Sequence, residues 1–430
     1  MNISLMIFNT NREKLIFYNF PVLLFSLIPF FLITGPFLSD LSISLISILF
    51  LIYCYKKKNF FFFKNKYFYF FLFFWGYLIL NTLINNFNLG SLKISLFYFR
   101  FGVFVIAITA LLNVDHKFIK YFFYCIFFCF TALILDGFYE YFIGENILGW
   151  KNDESSRISS FFCEEKILGS YLSRLWPIFF GISIIFLKQK DKLFFLFILI
   201  FILSETLIFL SGDRSAFFNI NLSAIFIILF SRKLIKLRLF TLLSSIVLLI
   251  IISFINPTAK ERVFDQTIQS MNLIENQNED SKYIFSKYHN DIYIAASKMF
   301  IDNKILGVGI KNFRNKCKDV KYYVNQKEIC YTHPHNTYIQ FLSETGLIGF
   351  LFILITLFYF FKYSFRHLLL RFKYKYYFTD FEICILSGIA IYLWPIIPTG
   401  NFFNNWLSIL MFLNIPFLIW SREKANHKDV

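Results

Sequence analysis

Residues 332–346 read T-H-P-H-N-T-Y-I-Q-F-L-S-E-T-G and run directly into the apolar stretch 347–361. Polar and ionisable groups at the mouth of a membrane helix are costly, so their presence points to a functional cavity. Asn336 is a good helix N-cap. A helix starting there puts Thr337, Gln340 and Glu344 at spacings of three and four, on one stripe facing the bundle interior, with Glu344 about two turns deep. Gly346 and Gly349 allow a neighbouring segment to approach closely. A helix N-terminus offers free amide donors and partial positive charge, which suits a phosphate. The same field lowers the pKa of His335, leaving it neutral near pH 7 and able to take a proton as a general base. The plainer alternative is that His335 caps the helix or anchors at the headgroups. His333 is suited equally to orienting this turn and to touching a substrate.

Other charges bear on the same chemistry. Arg214, in L-S-G-D-R-S-A-F-F (210–218), flanks a tight turn between two apolar runs, where an arginine either snorkels or holds an anion. Arg157 and Arg314 lie in polar connections. Arg100 and Arg174 fall inside apolar runs, so each needs a polar cavity or a partner. Glu165 is positioned to pair with Arg157 or Arg174 and hold a cation toward the site.

The elements that carry these residues are membrane helices. A mean hydropathy of +0.59 and 57% hydrophobic residues, including 64 phenylalanines, exclude a soluble globular domain. The expected fold is all-α and polytopic, with twelve spans near 16–34, 38–54, 67–86, 95–113, 118–143, 167–187, 192–211, 214–230, 238–255, 336–360, 380–397 and 401–420. No run reads as a removable signal peptide, so the first span is expected to insert and stay. Most of the phenylalanine reads as lipid-facing surface.

The net charge of +16 does not indicate nucleic acid, because the lysines and arginines gather in alternate short loops. These are Lys56, Lys57, Lys58, Lys64 and Lys66; Lys188, Lys190 and Lys192; Arg232, Lys233, Lys236 and Arg238; and Lys362, Arg366, Arg371, Lys373 and Lys375. The positive-inside rule makes those loops and both termini cytoplasmic. The opposite face then receives loops near 144–166 and 256–335. The expected organisation is an N-terminal bundle of about nine spans (1–255), a large outer loop (256–335) and about three C-terminal spans (336–430). Within the loop, 274–291 is polar and loop-like. The run D-I-Y-I-A-A-S-K-M-F-I-D-N is spaced as an amphipathic helix with Ile292, Ala295, Ala296, Met299 and Phe300 on one face, able to lie along the membrane as a lid.

Cys54, Cys125, Cys129, Cys163 and Cys384 sit in or beside spans and read as small apolar residues. Cys317 and Cys330 are alone in the large loop. In an oxidising compartment a bridge between them would tie down the segment before His333, and the sequence leaves that pairing open.

G-V-G-I-K-N-F-R-N-K-C (307–317) followed by 332–350 resembles the signature of the bacterial O-antigen ligase and O-antigen polymerase family, in which a glycine-rich turn precedes a histidine- and asparagine-bearing opening of a late span. R-I-S-S-F-F-C-E-E-K-I-L-G-S-Y-L-S-R-L-W-P (157–177) and 210–218 agree with it, so the resemblance covers about residues 95–360. It implies a membrane-embedded, glycosyltransferase-C-like enzyme without a metal or other cofactor, in the bacterial inner membrane with its site facing the periplasm. The donor is an undecaprenyl-diphosphate-linked glycan. The acceptor is a sugar hydroxyl of lipid A-core for a ligase, another lipid-linked unit for a polymerase, and a serine or threonine hydroxyl for a protein O-oligosaccharyltransferase; the 157–177 stretch leans toward the ligase. His335 matches the histidine that activates the acceptor hydroxyl, and Arg214 an arginine that binds the diphosphate. A second family arginine is replaced here, in F-S-K-Y-H-N-D-I-Y-I-A-A, by Lys287 and His289, leaving the second phosphate contact to Arg314 or Arg157.

That chemistry suits the residues. A polyprenyl diphosphate leaves readily, so catalysis needs a base for the hydroxyl and cations for the departing phosphate. The outer loops hold no D-x-D pair. A transporter of polysaccharide or lipid is the competing class, disfavoured because no internal repeat of hydropathy is visible and the polar residues gather on one face beside the long loop.

Overall fold

In a computed structural model the described residues are 6–85, 89–151, 157–186, 192–255, 261–270, 286–373 and 375–426. The expected polar run 274–285 lies outside them, as do Lys188 and Lys190. The regular secondary structure of the described residues is helical, apart from isolated bridges at Glu145–Lys151 and Val324–Lys327.

Its main helices are α1 (Asn11–Ile33), α2 (Pro36–Lys56), α3 (Lys66–Ile84), α4 (Leu89–Val114), α5 (His116–Ile143), α6 (Leu168–Phe186), α7 (Lys192–Leu210), α8 (Arg214–Phe230), α9 (Ile235–Ile255), α10 (Lys287–Asp302), α11 (Thr337–Phe372), α12 (Asp380–Leu393), α13 (Asn405–Phe412) and α14 (Asn414–Asn426). Eight of these, α1 to α6, α9 and α11, are long and apolar enough to cross a bilayer. The chain is a multi-pass membrane protein: helices satisfy their own backbone groups where lipid offers no partner.

Side chains on polar caps set the helix ends. Asn65, Asp213 and Asn404 each accept a backbone N–H of the first turn, and Thr379 forms a reciprocal capping box with Glu382. One apolar core runs through helices from both sides of the large loop. At its centre is α6, buried from Leu168 to Ser183 except at Ser170, against α8 and α12. Ser223 and Ser387 share a hydrogen bond of 3.0 Å across the α8–α12 contact.

Two acids that sequence reading passed over organise the 144–166 loop. Asp136 accepts the Ser160 hydroxyl at 2.5 Å and the Ile147 N–H at 2.8 Å. Glu140, one turn further along α5, accepts the N–H groups of Ser159 and Ser160 at 3.1 and 2.5 Å. Their i, i+4 spacing inside an apolar run was the signal for them.

Several expectations change. The last long span extends to Phe372, so Lys362, Arg366 and Arg371 sit on the end of α11 rather than in a loop. The span expected over 380–397 ends at Leu393, and that over 401–420 is two consecutive helices. Arg238, counted with a cytoplasmic loop, lies inside α9 with 0% of its side chain exposed. It is paired with Glu205 of α7, and its guanidinium stacks over Trp176. A charge at that depth persists because a carboxylate answers it, and Ser245 holds the other Glu205 oxygen at 2.7 Å. The amphipathic helix α10 turns Ile292, Ala296 and Met299 onto Val308, Phe313, Cys317 and Tyr322. Its apolar face is therefore occupied by the loop's own small core and is not presented to the membrane.

Removing one member of the Glu205–Arg238 pair leaves a buried charge alone. Arg238→Met is expected to lower stability by about 3–5 kcal/mol, and the double variant Glu205→Gln, Arg238→Met to recover most of that loss, as measured by thermal unfolding in detergent.

Candidate active site

The turn before α11 is built by its own side chains. Asn336 caps the helix, accepting the N–H groups of Tyr338 and Ile339 at 3.0 and 3.2 Å. Its amide reaches the other way, donating to the carbonyls of Pro395 and Ile397 at 2.9 and 3.3 Å. The 395–402 connection, absent from the sequence reading of the site, is thereby docked onto it. Thr399 N–H donates to the His335 carbonyl at 2.7 Å, and Phe402 N–H donates to Gln340 at 3.0 Å. His335 takes a left-handed φ of +55°, which a non-glycine residue holds only when its surroundings impose it.

Behind this turn the first turns of α11 are clamped to the glycine-rich segment. Glu344, fully buried, accepts the Phe313 N–H at 3.3 Å and the Gln340 amide at 2.8 Å. Gln340 donates again to Asn401 at 3.0 Å. Val308 and Gly309 N–H groups donate to the carbonyls of Ser343 and Glu344 at 2.8 and 2.9 Å. Glu344 thus faces inward as its spacing predicted, yet it spends its lone pairs on the protein. The backbones meet so closely that a Cβ on Gly307 would stand 2.5 Å from the Glu344 carbonyl carbon, and one on Gly346 would stand 2.3 Å from the Ile305 oxygen. Both glycines have left-handed φ, +68° and +63°. From α3, Asn81 donates to the Leu306 carbonyl at 2.5 Å and Tyr77 to that of Thr345.

A disulfide joins Cys317 to Cys330 and fastens the strip leading to His333 against the small core under α10. Lys287 and His289 stand at the start of α10, whose N-cap is Ser286.

Three imidazoles gather at the mouth of this assembly. His333 and His335 have ring centroids 4.2 Å apart, and His289 and His335 5.8 Å apart. Both nitrogens of His333 are engaged: Nε2 donates to Thr399 O at 3.0 Å, and Nδ1 accepts from the Thr332 hydroxyl at 2.9 Å. His335 differs. It is half-buried, flanked by the rings of Tyr288 and Tyr331, and among the described residues no hydrogen bond reaches its ring.

Burial lowers the pKa of His335 below its ordinary 6.5. The direction is the one expected of the helix field, but the cause is desolvation. His333 is lowered to about 4, by burial first and then by His335, Arg314 and Lys311. His289 is lowered to about 4 by burial, His335 and Arg214. The histidines therefore sit neutral, with Arg214 acting on His289 and with Arg314 and Lys311 acting on His333.

The cations are brought in by separate elements. Arg214 opens α8 behind its N-cap Asp213, and its guanidinium donates to Gln266 at 3.3 Å. Arg157 donates to the Lys166 carbonyl at 2.9 Å and lies 4.0 Å from Asp213, within electrostatic reach of Arg214. Arg314 is exposed and reaches the Thr332 carbonyl at 3.4 Å. Glu165 is exposed and pairs with neither Arg157 nor Arg174 among the described residues, because Arg157 is drawn to Asp213. Arg100 is occupied by Asp40 at 2.5 Å. Arg174 is buried, with its guanidinium over Tyr392. Among the described residues no group of three or more His, Cys, Asp and Glu could hold a metal ion.

The helices and this histidine–arginine mouth define a polytopic membrane protein with a polar site at one end of its bundle. Residues 194–354, which contain Arg214, His289, Glu344 and the whole 307–350 clamp, match the sequence profile of the family described as O-antigen ligase. Over that stretch the chain is similar to this family, and the match covers less than half of the chain. No curated protein matches the chain.

Gly307→Ala is expected to lose about 1–2 kcal/mol from the left-handed backbone alone, and more because its Cβ meets backbone that cannot swing aside. Thermal unfolding of the purified variant checks this. Gly400→Ala, whose Cβ meets only the flexible end of Leu407 and which has no left-handed φ, is the milder comparison.

Proposed function

We propose that this protein is an O-antigen ligase that moves a glycan from undecaprenyl diphosphate to a sugar hydroxyl of lipid A-core. The observation that carries the reading is the His335 ring. It is neutral through burial, free of protein hydrogen bonds among the described residues, and flanked by His289 and His333, which feel Arg214 and Arg314 respectively. The acceptor hydroxyl gives its proton to His335 as its oxygen attacks the anomeric carbon, and the bond from that carbon to the diphosphate oxygen breaks with its electron pair leaving on undecaprenyl diphosphate. Arg214 and Arg157 hold the diphosphate and stabilise that charge, with Arg314 at the outer rim. With guanidinium groups supplying the positive charge, the reaction is proposed to need no metal. His333 and Asn336 orient the turn, while Gln340 and Glu344 support it from behind.

The match to a family described as O-antigen ligase supports the ligase over the transporter. In the same reading α7, α8, α12 and the α13–α14 pair join the eight long helices to make twelve spans. Residues 1–255 and 336–430 form the membrane part around the 256–335 loop, with termini in the cytoplasm and the site facing the periplasm of the inner membrane.

His335→Ala is expected to lower transfer by about 10²–10⁴-fold at normal expression, and Arg214→Lys by roughly tenfold. On a lipopolysaccharide gel, loss of the ligase leaves cores with no O-antigen. Cores bearing a single repeat would instead identify a polymerase, and intact transfer in His335→Ala with altered flipping would identify a transporter.

Because the base acts in its neutral form and its pKa is depressed, the rate is expected to stay level through neutrality and fall only in an acid limb below pH 6.5. His335→Ala should abolish that limb. A rate measured against pH on the purified enzyme checks both.

A further inference from the structure

Arg100, Arg174 and Arg238 lie within membrane helices, and two of them are neutralised. Arg100 meets Asp40 at 2.5 Å, and Arg238 meets Glu205. Arg174 is not. It is 6% exposed, six residues into α6. Its Nε donates to the Ser170 hydroxyl at 3.1 Å, and its guanidinium carbon lies 4.9 Å from the centre of the Tyr392 ring. Among the described residues no carboxylate comes within 4.0 Å of it. Burying a lone cation is costly, and one hydroxyl with one aromatic face offsets only part of that cost. A charge kept at such expense among α6, α8 and α12 is suited to an anion that arrives from outside the chain.

Both sides of Arg174 lead to the proposed transfer site. One turn before it, Gly169 packs against Ser211, Asp213 and Ala216, the turn that presents Arg214. On the other side, Tyr392 precedes Leu393, whose carbonyl accepts the Tyr338 hydroxyl at 2.6 Å. The chain then continues into the connection that binds Asn336 and His335.

We propose that Arg174 is a phosphate-binding residue for the lipid-diphosphate donor, the inner member of a set whose outer member is Arg214. The ligand chemistry is a phosphate oxyanion on a lipid, received by a planar guanidinium that Ser170 and the Tyr392 ring hold in orientation. This assignment rests on the transfer reading above. It gives the donor two cations at different depths, so that the diphosphate is gripped along its length and the glycosidic bond is presented toward His335.

The test uses the full chain in nanodiscs of phosphatidylcholine, comparing wild type with Arg174→Gln and Arg174→Lys. Affinity for undecaprenyl diphosphate is measured by ligand-induced thermal shift, with inorganic pyrophosphate and phosphatidylglycerol as separate arms. Arg174→Gln is expected to weaken undecaprenyl diphosphate binding at least tenfold, and Arg174→Lys to retain most of it. The ligand-free melting temperature of Arg174→Gln should not fall, because an unanswered charge has been removed. Unchanged affinity together with a lowered ligand-free melting temperature overturns the proposal and makes Arg174 a structural bolt on Tyr392. Equal, Arg174-dependent binding of phosphatidylglycerol, or of pyrophosphate without the lipid, overturns the donor as its occupant. If wild type transfers glycan and His335→Ala does not, while Arg174→Gln binds donor normally, the transfer reading stands and only this assignment is lost. A wild type that binds no lipid diphosphate removes both.

Discussion

The close contact between Gly307 and Gly346, sealed by Glu344, is the constraint on which the site depends. At those two positions the backbone of the glycine-rich segment and the first turns of α11 approach too closely for any side chain to stand between them. Glu344 then binds the next turn of that segment through the Phe313 N–H. A carboxylate fully inside a membrane protein is tolerated because backbone and amide donors answer it. Once the clamp is closed, the 332–336 turn has one route to the membrane. Asn336 and Thr399 set that route, and the imidazole of His335 is left at the mouth with its nitrogens uncommitted among the described residues.

The three histidines share a type and a neighbourhood but are not interchangeable. Burial keeps all three neutral near pH 7, and the cations around His333 and His289 reinforce the effect there. His333 is spent on Thr399 and Thr332, so its ring holds the turn. His335 combines neutrality with freedom, which a base acting on an incoming hydroxyl requires. The arginines divide in the same way. Arg100 and Arg238 are answered by carboxylates and hold helices together, whereas Arg214 opens α8 beside its N-cap Asp213, and Arg157, from the 144–166 loop, lies 4.0 Å from that same acid.

Much of this was legible in the chain. Apolar runs gave the helical membrane fold, and the helix opening at Asn336, the inward stripe of Gln340 and Glu344 and the Arg214 turn follow from spacing and capping rules alone. What escaped was long-range. Nothing in the local pattern around Arg238 announces Glu205, 33 residues away and on another helix, so the arginine read as one more loop charge. Residues 395–402 fall at the junction of two expected spans, 380–397 and 401–420, with nothing local to mark them as part of the site, although their carbonyls and amides hold Asn336 and His335. The α10 stripe was read correctly as amphipathic, but its partner was misjudged. An apolar face has no label for what covers it, and here the loop carried its own core, braced by Cys317–Cys330. Glu165 failed for a simpler reason, since Asp213 competes for Arg157 and lies closer.

The central claim is spatial: a lipid diphosphate rests between the His335 ring and the Arg214 turn. The most direct measurement is an experimental map of the protein in nanodiscs with undecaprenyl diphosphate bound. The account predicts phosphate density in contact with the Arg214 guanidinium, with the terminal phosphate opening toward His335. Phosphate density on the basic loops at the opposite face, or a His335 ring turned outward into lipid in the bound state, would contradict it.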